Sequence, residues 1–597
     1  MIASLLTLLL LAPLPLQAPG CASLEQLEQR FGKNVLVPDP AGLGPPEGVA
    51  DDTVLQRHLG TEPKTLNAIV NNDGNLTDSL VAYVAFDLAQ RHRDDPTRIA
   101  PGAADYASVT DDLRTVTVRL RRGLHWQFPA VDRTDERYAW LGDLFADGAP
   151  ELTTDDIKFT HDLILDENTN THLRDQLEGS SIEILDRYTF QVHWDRLFVY
   201  ALDTSIFWEQ ILPRFLFSRD EDGRVFDPAE QGAAINTHWY NNRMCGYGPY
   251  EFISVDPGVE IVLRRKEDFH LFRPAIQEIH WQVTEDGEAW TLRTLEGSLD
   301  YMVLMAQQYR KYYLEAKDGT FLRSDRFRLK SYDKMNYIYL AWNNRRPPFD
   351  DHRVRNAMGL ALNREAILEK ILLGLGETVN SHVFYRHPHF NPGPGALPFD
   401  LDRASELLDQ AGWEDENDDG VRDKVVEVVR DGRVAKDRVD LSFSILTFAG
   451  ASELEAMLAV YQQDLRKIGV EMTPEPVTWG TMIDRAYNDR EFDGFVGLIN
   501  LGWNLDFYHA FHSQGASNYS GFSDPEADEL IVRYRGTKDD EERRKMAFRI
   551  QEILFEQQPY TFFIRQRRMS VFPAWLENVH YAVARPQLLS FAWYRSK

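Results

Sequence analysis

The segment Leu498–Phe511, "LINLGWNLDFYHAF", sets one carboxylate, Asp506, among Trp503, Phe507 and Tyr508, directly after a run of strand-forming apolar residues. A carboxylate among aromatic rings is costly to bury without a cation. Two sources of that cation are open: an Arg or Lys elsewhere in the chain, or a positive group on a ligand. The stretch "DENDDGVRD" (Asp415–Asp423) offers a second chemistry, because Asp415, Asn417, Asp419 and Asp423 alternate as oxygen donors around Gly420 in the manner of a calcium loop. Its twelfth position is Val426 in place of a bidentate Glu, and "VVEVV" after it reads as strand, so a solvated acidic turn is the competing reading. His382, His387 and His389 gather in "HVFYRHPHFNPGPG", but no Cys or spaced acid completes a ligand set, and no metal site is predicted there. Asp350 and Asp351 stand where a helix begins and read as caps. H-E-x-x-H, G-x-S-x-G and G-x-x-x-x-G-K-[ST] are all absent, so no catalytic residue is assigned.

These residues need elements to hold them. In "LRTVTVRLRRGLHW", Val116, Val118 and Leu120 alternate with polar neighbours, which predicts a half-buried strand. "TTDDIKFTHDLILD" predicts a helix with Thr153 or Thr154 as cap and acids in its first turn. Leu454, Met457, Leu458, Tyr461, Leu465 and Ile468 recur at helical spacing, Gly469 ends that helix, and Val470 opens a strand. "FDGFVGLINLGW" is a further strand, and "EERRKMAFRIQEILFEQQP" a helix stopped at Pro559. Such interleaving predicts α/β lobes with mainly parallel pairing. In open α/β sheets the ligand crevice lies beyond the carboxyl ends of the strands, which is where Asp506 falls.

Composition narrows the partners. The 597 residues exceed one ordinary domain, and 65 Lys plus Arg against 93 Asp plus Glu leave a net charge of −28, which repels phosphate backbones, so nucleic acid is not an expected partner. The apolar run Leu5–Leu16 is too short and too broken by prolines to span a bilayer; it reads as the core of a signal peptide over residues 1–20. Ala18 and Gly20 before Cys21 resemble the lipobox that directs lipid attachment to an exported lipoprotein; Pro19 and the missing basic residues depart from it, and cleavage near Ala18 or Ala22 is the alternative. Cys245 is then expected as a buried thiol without a disulfide. Residues 21–60, rich in Pro, Gly and Asp, read as a tether or N-terminal arm.

Several stretches, in order, resemble family 5 of the extracellular solute-binding proteins: "EPKTLNAI", "LRRGLHW", "DGAPELTTDDIKFTHDLIL", "GYGPYEFISVDPGVEIVLRRKEDF", "LEGSLDYM", "LAWNNRRPPFDDHRVRNAMGLALNREAILEKILLGLG", "IGVEMTPEPVTWGTMIDRAYNDREFDGFV" and "SGFSDPEADELI". The resemblance implies a two-lobed binding-protein fold with a subdomain on the first lobe. Residues 61–339 with 566–597 form that lobe, residues 340–565 the second, and a cleft lies between them. It implies capture of oligopeptides or dipeptides for the permease of an ATP-driven importer, by a monomer with no cofactor, held to the membrane only through a lipid on Cys21. By the same resemblance Asp506 pairs with a ligand's amino group, Gly502, Trp503 and Asn504 line its wall, and Asp73, Gly74 and Asn75 face them from the first lobe. An insertion, "QFPAVDRTDERYAWLGDLFA", departs from the family after Trp126. The rival readings are the same fold holding an oligosaccharide, a nickel chelate or haem, and an exported hydrolase with two facing carboxylates.

Overall fold

The computed structural model describes residues 22–38, 44–46, 48–49, 52–70, 75–208, 210–269, 271–430, 433–584, 587–588 and 590–596. Strand Thr53–Leu59 lies parallel to Ile276–Val283, which continues antiparallel through Glu260–Arg265 to Tyr250–Asp256, and this four-stranded sheet is the base of the first lobe. The expectation of an arm to residue 60 is corrected here, because residues 53–59 are a sheet strand. Thr53, Leu55, Arg57 and Leu59 all face inward, and a cation at the third inward position hides the alternation. The Arg57 guanidinium lies over Trp281 at 4.3 Å and Tyr301 at 4.6 Å, and donates to the Ser590 hydroxyl at 3.0 Å. Stacking on aromatic faces is what lets an arginine sit in this core.

Residues 22–37 of the arm are docked as well. Ser23 and Gln26 form a reciprocal capping box that starts helix Leu24–Phe31. Beyond the helix, Val35 N–H donates to Ala107 C=O (2.9 Å) and Val37 N–H to Ile99 C=O (2.7 Å), so the arm extends the edge of the subdomain. That subdomain is an antiparallel sheet in the order Ala104–Val109, Thr115–Leu120, Thr189–Trp194, Ser180–Ile184. Helix Thr154–Leu165 packs on it, and Asp156 both closes the box with Thr153 and accepts from Arg214 N–H at 2.9 Å. The insertion forms two short helices, Glu136–Tyr138 and Ala139–Leu144. Tyr138 stacks on Trp239 (5.6 Å) and Phe145 meets Phe215 (5.7 Å), which ties the insertion to the subdomain.

The second lobe is built on the sheet Tyr560–Pro573, Asn336–Trp342, Gly494–Asn500, Ser442–Phe448, Glu471–Val477, and Met302–Leu304 of the first lobe pairs with the far end of Tyr560–Pro573. Within it only the pairings of Ser442–Phe448 with Glu471–Val477 and Gly494–Asn500 are parallel, so the expectation of mainly parallel pairing is corrected. The reason lies in the lobe crossings. Chain leaves the first lobe through Phe327–Asp333 and Asn336–Trp342 and returns through the 14-residue strand Tyr560–Pro573, which pairs antiparallel with both. Two crossings in opposite directions, laid side by side, are antiparallel of necessity. Helix Ser452–Arg466 buries Met457, Leu458, Tyr461 and Leu465 beneath this sheet, and Gly469 takes φ +72° after it. Helix Asp540–Gln557 ends at Gln558, in the left-handed region, just before Pro559. Among the described residues, no helix is long and apolar enough to cross a membrane.

Asp300 illustrates the cost of burying charge in the first lobe. Its carboxylate accepts from Gln56 N–H at 2.7 Å, and burial pushes its pKa up to about 6. Between the unfolded carboxylate value and that point the folded state binds more protons, so stability falls as pH rises through the window. Asp300→Asn keeps an acceptor for Gln56 and removes the charge. We expect it to raise the unfolding free energy at pH 7.5 by about 2 kcal/mol and to leave it unchanged at pH 4. Denaturation curves at the two pH values measure this; an equal effect at both refutes the charge argument.

Candidate functional site

The loop after strand Gly494–Asn500 is held from below by Leu501, Leu505 and Phe507, all buried, and Leu501 N–H donates to Met335 C=O at 2.7 Å. Of its remaining side chains, Asn504 reaches the first lobe at Arg91, whereas Asp506 meets Arg535 and Trp503 meets His387 within the second. Gly502 is exposed, Trp503 and Asn504 are half-buried, and the Trp503 ring lies 5.1 Å from His387. Four of the expected site residues, Gly502, Trp503, Asn504 and Asp506, thus share one wall.

The cation that Asp506 requires comes from inside the chain. Arg535 Nε donates to Oδ1 at 3.0 Å and to Oδ2 at 3.1 Å, and Nη2 donates to Oδ2 at 2.6 Å. Tyr508 N–H adds a fourth contact, to Oδ1 at 3.1 Å. Arg535 sits in the last turn of helix Pro525–Gly536, whose start is fixed by Asp524 accepting from Ala527 N–H and by Pro525 in the first turn. Its guanidinium lies over the Tyr508 ring at 4.2 Å, with His509 Nε2 at 3.2 Å from Nη2.

Asn504 is also engaged. Its Oδ1 accepts from Arg91 Nη2 of the first lobe at 2.7 Å, and the same nitrogen meets Asp203 at 2.6 Å. The Arg91 guanidinium covers Phe207 at 4.6 Å. Burial raises the Asp203 pKa, and the Arg91 charge opposes that rise. Beside this pair the Tyr200 hydroxyl donates to Leu505 C=O, and Val199 N–H donates to Arg535 C=O at 3.3 Å. Arg91, Asp203, Tyr200 and Arg535 were not singled out from the sequence. Arg91 and Asp203 stand 112 residues apart and Arg535 follows Asp506 by 29, so no local pattern connects them.

The three histidines diverge to separate partners. His382 Nδ1 pairs with the Tyr337 hydroxyl (2.9 Å), and burial lowers its pKa to about 4. His389 Nδ1 meets the Tyr534 hydroxyl (2.9 Å) and its Nε2 meets Asp540 (3.1 Å). Burial, with the charges of His389 and Arg543 beside it, brings His387 down to about 3. Among the described residues, no three His, Cys, Asp or Glu side chains are disposed to hold a metal ion. In the acidic turn, Asp415 accepts from Gly420 N–H (2.9 Å) and Asp419 N–H (3.2 Å), and Asn417 donates to Asp419 Oδ2 (2.9 Å). Asp423 is buried and accepts from Arg438 Nη1 at 2.9 and 3.0 Å, so it already has a cation.

Asp351 accepts from Arg353 N–H at 2.9 Å and caps helix His352–Leu360. Cys245 is a buried free thiol. Asp73 and Gly74 of the facing loop lie outside the described residues, as does Cys21, and Asn75 opens helix Asn75–Val84. A ring cluster elsewhere in the second lobe has no signal in the sequence. Trp479, 42% exposed, leads a row of rings through Phe448 (5.6 Å) and Tyr487 (6.0 Å) to Tyr519, which lies 4.5 Å from Tyr487.

Known proteins place this geometry. A family model described as bacterial extracellular solute-binding proteins, family 5 Middle, matches residues 98–523. The chain is similar to the oligopeptide-binding protein AppA of Bacillus subtilis (strain 168), 26% identical over 471 residues, which is 76% of this chain and 79% of that protein. It is similar to the dipeptide-binding protein of Escherichia coli (strain K12), 21% identical over 487 residues, or 78% and 80% of the two chains. The solved structure of AppA from Bacillus subtilis in complex with a nonapeptide matches with a TM-score of 0.74 at 23% identity, covering 92% of this chain and 100% of that one. A two-lobed fold with a walled cleft, matched by the family model over most of its length, identifies the chain as a member of the bacterial extracellular solute-binding proteins of family 5.

Proposed function

We propose that this chain captures oligopeptides or dipeptides between its lobes and hands them to the membrane permease of an ATP-driven importer, with no chemistry performed on them. The observation that carries this reading is likeness along nearly the whole fold to a peptide-bound relative. Locally, strand Gly494–Asn500 pairs with Ser442–Phe448 only at Gly494 and Phe495, so beyond Phe495 that side of the strand, with Leu498 and Gly502 exposed, offers main chain to which an extended peptide can add as a strand. A side chain built on Gly502 would meet only the Asn504 backbone, at 3.8 Å, which leaves room for another backbone to approach. In this reading Gly502, Trp503 and Asn504 form the second-lobe wall, and the ring row at Trp479 receives ligand side chains. A lipid on Cys21 keeps the exported protein at the membrane, and closure about the two crossing strands presents both lobes to the permease.

Native mass spectrometry of the purified protein tests the ligand class. The expected result is a series of adduct masses that resolve, after release, into peptides. A bound sugar, metal chelate or haem instead rejects it, and conversion of an added peptide into smaller products rejects the non-catalytic assignment.

A further inference from the structure

A carboxylate in the wall of a binding cleft can receive a ligand's positive charge only if it has acceptor capacity left. Ionised Asp offers about four lone-pair directions on its two oxygens. In Asp506 three N–H groups already occupy the carboxylate, Tyr508 N–H on Oδ1, Arg535 Nη2 on Oδ2 and the one Arg535 Nε proton shared between both oxygens, at 2.6 to 3.1 Å, so its negative charge is already matched by a guanidinium. Two carboxylates near this wall are engaged as well. Asp203 holds Arg91 at 2.6 Å, and Asp540 meets His389 at 3.1 Å and Arg543 at 3.7 Å.

Arg535 is also a poor group to displace. It is 20% exposed, its carboxylate partner 19%, its face is covered by Tyr508, and its bonds to Asp506 are bidentate. Exchanging it for a ligand ammonium would strand a half-buried guanidinium, and the gain at Asp506 would not cover that loss. His387 shows independently that the wall resists added positive charge. Next to Trp503 it is held neutral by burial, with His389, Arg543 and Arg91 adding to the effect.

We propose that Arg535 is the resident cation of Asp506, and that the site therefore selects peptides by main chain and side chains and not by a charged amino end, so that amino-acylated peptides bind as well as free-amine ones. This rests on the peptide-binding reading above. The chemistry is specific: the peptide's amino nitrogen contributes at most a neutral hydrogen-bond donor at this wall.

A one-to-one mixture of a randomised hexapeptide library and the same library N-acetylated separates the cases. The protein is freed of co-purified ligand, equilibrated with the mixture and desalted, and the retained peptides are quantified by mass. Enrichment of the free-amine form by less than fivefold supports the proposal; enrichment of fivefold or more overturns it. If neither form is retained, the peptide-binding reading itself falls, and this inference with it. Arg535→Gln, which frees the Asp506 carboxylate, is expected to shift the ratio at least fivefold toward free-amine peptides. An unchanged ratio in that variant, once shown to fold, removes Arg535 from the role.

Discussion

Replacing Arg91 by alanine is expected to lower the unfolding free energy by about 3 kcal/mol, since removal of one partner leaves the other charge buried and uncompensated. Arg91 is 11% and Asp203 19% exposed in their side chains, so solvent screens the pair little. Without the guanidinium, Asp203 keeps its burial and loses the charge that opposes its raised pKa. Its escape is to take up a proton, which limits the loss. The double variant Arg91→Ala with Asp203→Asn removes the stranded charge, and we expect it to recover about half of the lost stability. Urea denaturation of the wild type, both single variants and the double variant measures the coupling. A loss below about 1 kcal/mol in the Arg91 variant, within the range of an exposed ion pair, would sink the argument.

The same substitution has a functional signature. Arg91 reaches across to Asn504, so this one side chain joins an internal ion pair of the first lobe to the wall of the second. Its loss removes one of the polar contacts between the lobes; others remain, among them the Tyr200 hydroxyl on Leu505 C=O, Val199 N–H on Arg535 C=O and Lys538 Nζ on Asp111 C=O. Scattering in solution should then report a larger radius of gyration for the Arg91 variant than for wild type without ligand, and a smaller difference with ligand bound.

Acidification is the second large effect. Burial lowers His238 and His382 to about 4 and His387 to about 3, each well under the ordinary histidine value. A histidine with a depressed folded pKa contributes stability that is complete above its unfolded pKa, near 6.5, and is lost as pH falls toward the folded value. Unfolding in that window takes up close to three protons. Asp300 acts with the opposite sign, since its raised value favours the folded state as pH falls below about 6. The net expectation is a loss of about 5 kcal/mol between pH 6.5 and 4.5. Denaturation midpoints across that range give the proton count from the slope. His382→Gln, which can still pair with the Tyr337 hydroxyl, should reduce the count by about one. A flat profile would show that these rings are hydrated and titrate normally.

Elements whose signals are local could be read directly. Thr153 with Asp156 starts helix Thr154–Leu165, Asp351 caps His352–Leu360, and the apolar stripe of Met457, Leu458, Tyr461 and Leu465 builds Ser452–Arg466. Strand Gly494–Asn500 and the loop carrying Asp506 also fell where apolar patterning placed them. Arg57 defeated the same method, because its burial depends on Trp281 and Tyr301, rings more than two hundred residues away in the chain. Strand direction was misjudged for a related reason. Alternation of helices and strands describes order along the chain, whereas antiparallel pairing followed from two crossings in opposite directions.

Legible along the chain alone are its α/β lobes, a field that repels polyanions, collinear segments that tie it to a family of solute-binding proteins, and the need of Asp506 for a cation. These follow from composition, short-range periodicity and the order of segments. Which cation Asp506 receives follows from packing. Arg535 reaches Asp506 because helix Pro525–Gly536 packs beside the loop, and Arg91 reaches Asn504 because the lobes meet there. An ion pair is a fact about distance in space, and electrostatic energy falls with that distance whatever the separation in sequence.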